Sequence, residues 1–134
     1  MVGGYLTFAG IEGKARWART AVQAALPVTI AEVDDRVEVP AGATPAVRQP
    51  DHPIVAGLPT SWPPLLGYNR VAARDGADVV VSVGDDPLIV AGAHGRGRAV
   101  AFTSDCGPHW CPPPFVEWQG YARMWRQIVA WAAG

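Results

Sequence analysis

Four short apolar runs follow one another through the middle of the chain, and the links between them leave little choice of fold. Residues 66–73, 78–83, 88–93 and 98–103 are rich in Val, Ala and Ile, as strands are. The links are Arg74-Asp75-Gly76, Gly84-Asp85-Asp86-Pro87 and His94-Gly95-Arg96-Gly97, all turn sequences. A parallel crossover needs a dozen or more residues, so consecutive strands with such links must be antiparallel neighbours. A strand meander therefore sits at the centre of the fold.

Around the meander the sequence changes character. Residues 39–64 carry Pro40, Pro45, Pro50, Pro53, Pro59, Pro63 and Pro64. Each fixes φ and removes an amide donor, so no long element is expected there. Ile54, Val55, Leu58 and Trp62 give the stretch apolar anchors, and it reads as an ordered crossing loop with one helical turn over 52–58. Upstream, Ile11, Ala15, Ala18, Val22 and Ala25 recur at helical spacing and predict a helix over 12–26, stopped by Pro27. The β-branched run 28–33 predicts a strand, broken by Asp34-Asp35-Arg36. Downstream, Phe115, Trp118, Ala122, Trp125, Val129 and Ala132 predict a terminal helix over 115–132. The opening residues 2–10 read as a strand end turning into a loop. The order is α/β, a single domain over 1–134 with one helix on each side of a small mixed sheet.

Charge and composition exclude several classes. With 11 basic and 12 acidic side chains there is no positive excess to neutralise phosphates, so no nucleic-acid partner is expected. An apolar fraction of 49% excludes intrinsic disorder. No stretch approaches ~18 uninterrupted apolar residues, so no membrane span is expected. The opening lacks a basic segment followed by an apolar one, so no secretory signal is read and a cytoplasmic protein is the expectation. Cys106 and Cys111 do not make a disulfide framework. Six tryptophans are many for this length, and Trp17 and Trp131 fall off the two predicted helical stripes. Tryptophans so placed point to a partner surface.

Several phrases together resemble a known group. They are residues 3–14 (Gly3-Gly4-Tyr5 through Gly13-Lys14), Asp34-Asp35-Arg36-Val37-Glu38, His52-Pro53-Ile54, Leu66-Gly67-Tyr68-Asn69, Gly95-Arg96-Gly97-Arg98, residues 103–110 and Trp125-Arg126-Gln127. The chain looks like the glutamine-amidotransferase-like family of bacterial cytoplasmic proteins. Trehalose-utilisation-type proteins are more distant relatives. The resemblance implies a class I glutamine-amidotransferase-like, flavodoxin-like fold. Members of that family are about twice as long, which implies a partial domain lacking the N-terminal strands and helices of the sheet. Such a domain would expose a sheet edge and apolar faces, so a homodimer or higher homo-oligomer is expected.

In active class I amidotransferases a strand-to-helix turn carries a nucleophilic cysteine within Gly-x-Cys-x-Gly. The turn exposes the thiol and aims backbone amides at the oxyanion. The corresponding segment here is Gly3-Gly4-Tyr5-Leu6-Thr7, with Tyr5 or Leu6 in the cysteine's place. Neither forms a thioester, so glutaminase activity is not expected.

The densest polar cluster is Ser104-Asp105-Cys106, His109 and Cys111, directly after the last strand. The resemblance puts this loop near the place of the catalytic histidine in active relatives. Gly107 and Pro108 force a tight turn, so Asp105 and His109 can meet and serve as an acid–base pair. The same residues could instead pin the loop, with Asp105 capping the turn, Cys106 buried and His109 and Trp110 packed under the terminal helix. As a metal site, Cys106, His109 and Cys111 are too cramped for a zinc knuckle and lack a fourth ligand. No metal and no cofactor are expected. Asp34-Asp35-Arg36 with Glu38 reads as a contact for a cation or a polar ligand or, more simply, as a solvated turn with an Asp–Arg pair. His94-Gly95-Arg96-Gly97-Arg98 is similar to a phosphate-binding turn but reads more simply as a hairpin, and His52 as a loop residue. The candidate residues are thus Asp105 and His109 for catalysis, and Tyr5, Ser104, Asp34 and Arg36 for ligand binding. The expected function is a non-catalytic oligomeric or ligand-binding module. The alternative is a small-molecule hydrolase or transferase centred on Asp105 and His109.

Overall fold

The meander forms as its links require. In a computed structural model, which describes residues 1–134, a 3-10 turn (Ile11–Gly13) precedes α1 (Ala21–Ala25) and β1 (Val28–Thr29). The strands β2 (Arg36–Ala43), β3 (Pro45–Val47), β4 (Leu65–Asn69), β5 (Ala72–Ala73), β6 (Asp78–Val83), β7 (Asp86–His94) and β8 (Gly97–Phe102) follow. The chain closes with α2 (Pro113–Val116) and α3 (Tyr121–Ala133). The main sheet is antiparallel throughout, in the order β3-β6-β7-β8. A parallel bridge joins Val2 to Phe102 at the β8 edge. β2 pairs antiparallel with β4, and β1 with β5. The backbone amide of Asn69 donates to Thr103 O (2.8 Å) and that of Leu66 to Trp110 O (2.8 Å), which seats β4 beside the chain leaving β8.

The central strands are buried on both faces, which is why they read as continuous apolar runs rather than alternating ones. Ile89, Ala91, Val100 and Phe102 face a core shared with Ile54, Trp62, Leu65, Phe115, Met124 and Ile128. Val90 and Ala101 face a second core with Phe8, Leu26, Val28, Ile30 and Val71. The first core is thus closed by the proline-rich segment and α3, and the second by the N-terminal loop.

Four expectations are corrected. The helix over 12–26 shrinks to α1, capped by the Thr20 hydroxyl accepting from Gln23 N. Phe8, Glu12, Arg16 and Arg19 all have left-handed φ, which no α-helix accommodates. The amides of Ala9, Gly10 and Glu12 donate to the Asp35 and Asp34 carboxylates rather than to helical carbonyls. The strand over 28–33 is only two residues long, because Ile30 N turns to the Gln23 side-chain oxygen. The proline-rich segment does hold a long element: β2 runs eight residues through Pro40. It is an edge strand whose register slips between Glu38 and Ala43, so the missing Pro40 donor costs no ladder bond. The terminal helix is broken between α2 and α3, and the break resets the stripe. Met124 and Ile128 are buried and Val129 is 65% exposed, while Trp131 packs against the core instead of standing off it.

Asp34-Asp35-Arg36 is only partly the solvated turn expected. Asp35 is buried, and its carboxylate accepts from Ala9 N (2.9 Å), Gly10 N (2.9 Å) and Asn69 Nδ2 (2.8 Å). Asn69, fully buried, also accepts from Gly4 N (2.8 Å) and donates to Gly4 O (3.2 Å). Removing the acceptor leaves the buried Ala9 and Gly10 amides, and one of the two Asn69 amide protons, without partners. Asp35→Ala is therefore expected to cost about 2–4 kcal/mol of unfolding free energy. Asp35→Asn keeps one acceptor and should cost less. Urea unfolding checks this, and an Asp35→Ala protein as stable as the parent would contradict it.

Candidate functional site

The chain leaving β8 spends its first polar groups on the fold. Thr103 Oγ1 donates to Pro87 O (2.9 Å) and Ser104 Oγ to Gly67 O (2.8 Å). Ser104 is fully buried, so its hydroxyl is not offered to a ligand as the sequence reading expected. The next residues form the tight turn. The Asp105 carboxylate accepts from Trp110 N (3.0 Å) and Cys111 N (3.0 Å) and meets His109 Nδ1 at 3.2 Å. The same carboxylate therefore caps the turn and orients the imidazole. With the Nδ1 proton facing Asp105, Nε2 is the free ring nitrogen. The His109 side chain is 49% exposed rather than packed under the terminal helix.

Trp110 is buried, and Gly67 makes room for it: a Cβ on Gly67 would overlap the indole. Gly67 lies opposite Glu38 in the β2–β4 register, and Trp110 Nε1 donates to Glu38 Oε2 (3.0 Å). Tyr5 OH donates to the other oxygen, Glu38 Oε1 (3.3 Å). The Tyr5 ring stands edge-on to His109 with centroids 4.9 Å apart and lies 5.9 Å from the Trp110 ring. Arg36 Cζ sits 4.6 Å from the Tyr5 centroid, a cation–π contact. Its guanidinium forks onto Asp34, with Nε at 3.0 Å and Nη2 at 2.8 Å. Tyr5 is held there because Gly3 packs against Thr103 O, where a Cβ would not fit, and Gly3 N donates to Phe102 O (2.8 Å).

Five of the six candidate residues thus share one surface: Tyr5, Asp34, Arg36, Asp105 and His109. Ser104 lies beneath it. The carboxylates are largely committed within the cluster. The fork from Arg36 holds the Asp34 carboxyl well below the usual carboxylate range, and the same bond raises the guanidinium further. Trp110, treated in the sequence only as packing, contributes its indole, and Glu38 links it to Tyr5. Asp35 and Asn69, which position the Tyr5 loop, each lie in a phrase of the family resemblance but were given no such role there. None of the five main cavities is lined by Asp105 or His109.

Other candidates lie elsewhere or are spent. Gly95 and Arg96 form a hairpin tip, and Arg98 stacks on Trp131 and donates to its carbonyl. His52 Nδ1 accepts from Ile54 N (3.2 Å), and burial lowers its pKa. No group of His, Cys, Asp and Glu side chains is gathered that could hold a metal ion. Cys106, read as a buried hydrophobe, is exposed. Cys111 is buried and its thiol donates to Asp105 O (2.7 Å).

A family profile described as "Putative glutamine amidotransferase" matches residues 1–133. The chain belongs to this glutamine-amidotransferase-like family. Two solved structures resemble this family member closely. One is a cytoplasmic protein from Salmonella typhimurium LT2, 41% identical with a TM-score of 0.94, covering 98% of this chain and 54% of its own. The other is a second cytoplasmic protein from Salmonella typhimurium, 42% identical with a TM-score of 0.94, covering 98% and 53%. The chain spans about half the length of these structures. No curated protein matches it. The family fits a flavodoxin-like class I domain, and no helix of this amidotransferase-like chain is long and apolar enough to cross a membrane.

The two thiols of this family member should differ in reactivity. Burial, with Asp105 nearby, pushes the Cys111 thiol up to about 12. The raised value means Cys111 favours the fold below the unfolded thiol pKa near 9, and this contribution is lost as pH rises from about 9 to about 12. At pH 8 a thiol reagent is expected to label Cys106 alone in the folded protein and both cysteines in denaturant. Rapid native labelling of Cys111 would contradict the burial.

Proposed function

We propose that the chain is a glutamine-amidotransferase-like module that does not hydrolyse glutamine. Its surface of Tyr5, His109 and the partly buried Arg36 serves as a ligand contact. The observation carrying this reading is the state of Tyr5. The family resemblance puts Tyr5 or Leu6 in the place of the catalytic cysteine, and Tyr5 is an aromatic ring packed edge-on against His109, with its hydroxyl on Glu38. A phenol so committed supplies no thiolate, and thioester chemistry needs one. Cys111 is buried and protonated, and no helix begins after Tyr5 to form an elbow. Aromatic faces, a guanidinium and one free imidazole nitrogen are groups that bind a polar ligand by stacking and a single hydrogen bond. A cytoplasmic location accords with the two Salmonella relatives.

A second reading, hydrolysis or group transfer at Asp105 and His109, is favoured by one observation. The 3.2 Å contact fixes the tautomer of a half-exposed imidazole, as a general base requires. Incubation with glutamine and an ammonia assay separates the readings. No ammonia above buffer is expected, from the parent or from His109→Gln. Ammonia release abolished by Cys106→Ser or His109→Gln would overturn the proposal.

The module is further proposed to work as a homo-oligomer. Leu6 (61%), Val33 (69%) and Val129 (65%) are exposed, and so in part is Trp17 (37%). A partner that covers these side chains is the reading they support, and a stable interface buries more than ~1,000 Å² in total. Light scattering at micromolar concentration is expected to give at least a dimer. A 14.2 kDa monomer would sink this part of the proposal.

A further inference from the structure

The loop between Phe8 and Thr20 does more than carry Tyr5's neighbours. Between it and Ala31-Glu32 lies a cavity of about 380 Å³, within the ~300–1,000 Å³ typical of small-molecule sites. Arg16, Arg19 and Glu32 supply its charged lining, with Ala9 and Gly13. Backbone strain concentrates around this cavity. The non-glycine residues with left-handed φ are Phe8 (54°), Glu12 (53°), Arg16 (57°) and Arg19 (57°). Arg16 and Arg19 line the cavity, and Phe8 and Glu12 directly precede the lining residues Ala9 and Gly13. Strained residues persist only when their surroundings hold them, and they gather at ligand sites. Here Asp34 and Asp35 hold the first two, Phe8 and Glu12, through the amides of Ala9, Gly10 and Glu12.

The charges at the cavity are not balanced. Arg19 Nη2 pairs with Glu32 at 2.8 Å, but both side chains are more than half exposed, so the pair is weakly held. The Arg16 guanidinium is exposed and has neither an ion pair nor a hydrogen-bond acceptor within the chain. One cation therefore stands free and a second is loosely engaged, beside a concave surface. We propose that this cavity binds the phosphate group of a small molecule. Arg16 takes the phosphate with its planar fork, and Arg19 turns from Glu32 to join it. A guanidinium pair matches the charge and the acceptor geometry of a phosphate dianion. Glu32 restrains Arg19 and repels the anion, so it limits affinity. The proposal is independent of any reading of Tyr5 and His109.

Inorganic phosphate is the probe, titrated into the protein at fixed ionic strength and followed by calorimetry and by amide chemical shifts. Saturable binding at one site is expected, with shifts in residues 9–19. Arg16→Ala should weaken it about tenfold or more, as the loss of a charge-assisted fork does. Glu32→Gln should tighten it several-fold. Arg16→Gly should also lose binding while leaving the melting temperature undiminished, because glycine adopts the left-handed backbone freely. Arg96→Ala, at the hairpin tip, should bind as the parent does. Binding that does not saturate, or that Arg16→Ala leaves unchanged, or that Arg96→Ala weakens equally, would overturn the proposal.

Discussion

A buried carboxylate and a buried amide organise the N-terminal third of this molecule. Asp35 accepts from the Ala9 and Gly10 amides and from Asn69, and Asn69 in turn grips Gly4 through both its oxygen and its nitrogen. No cation compensates Asp35, so its charge is held by N–H donors alone. That arrangement is stable only while every donor stays in place. The N-terminal loop consequently has no freedom to become the helix its apolar spacing advertises. It follows the carboxylates instead, and the strain at Phe8 and Glu12 is the cost of doing so.

The same network explains where Tyr5 stands. Asn69 ends β4, Gly67 lies two residues earlier on the same strand, and Trp110 rests over Gly67. The N-terminal loop, the β2–β4 pair and the turn after β8 are thereby brought to one surface. Glu38 joins them, since one oxygen takes the Tyr5 hydroxyl and the other the Trp110 indole. Asp105 does similar duty within its own turn. The chemistry left over is modest: an imidazole nitrogen, aromatic faces and a guanidinium already forked onto Asp34. Those are the groups on which the proposed ligand contact rests.

Legibility in the sequence followed the range of the interactions. The three hairpin-linked strands β6, β7 and β8 were readable because apolar runs and two- to four-residue turns are local signals. The pairing of Asp105 with His109 was readable for the same reason, since Gly107 and Pro108 close a short turn. The 12–26 segment misled because helical spacing is a weak prior that distant carboxylates override. β2 was hidden by its proline, which an edge bulge tolerates. The break before α3 moved Trp131 onto the core, a phase shift that spacing across Gly120 does not reveal. Asp35 and Asn69 were illegible as partners, being 34 residues apart with no local signal that joins their two phrases. Tyr5 was found through a family resemblance and Asp34 and Arg36 through their local charge pattern, and only the fold brings them to His109.

The packing of Tyr5 on His109 is the central claim, and the His109 imidazole resonances test it most directly. Rings 4.9 Å and 5.5 Å away should displace the His109 carbon-bound protons from their free-histidine positions. Tyr5→Ala should then move them clearly towards those positions while the Trp110 indole signal stays folded-like. Resonances at free-histidine positions in the parent, unmoved by Tyr5→Ala, would contradict the account.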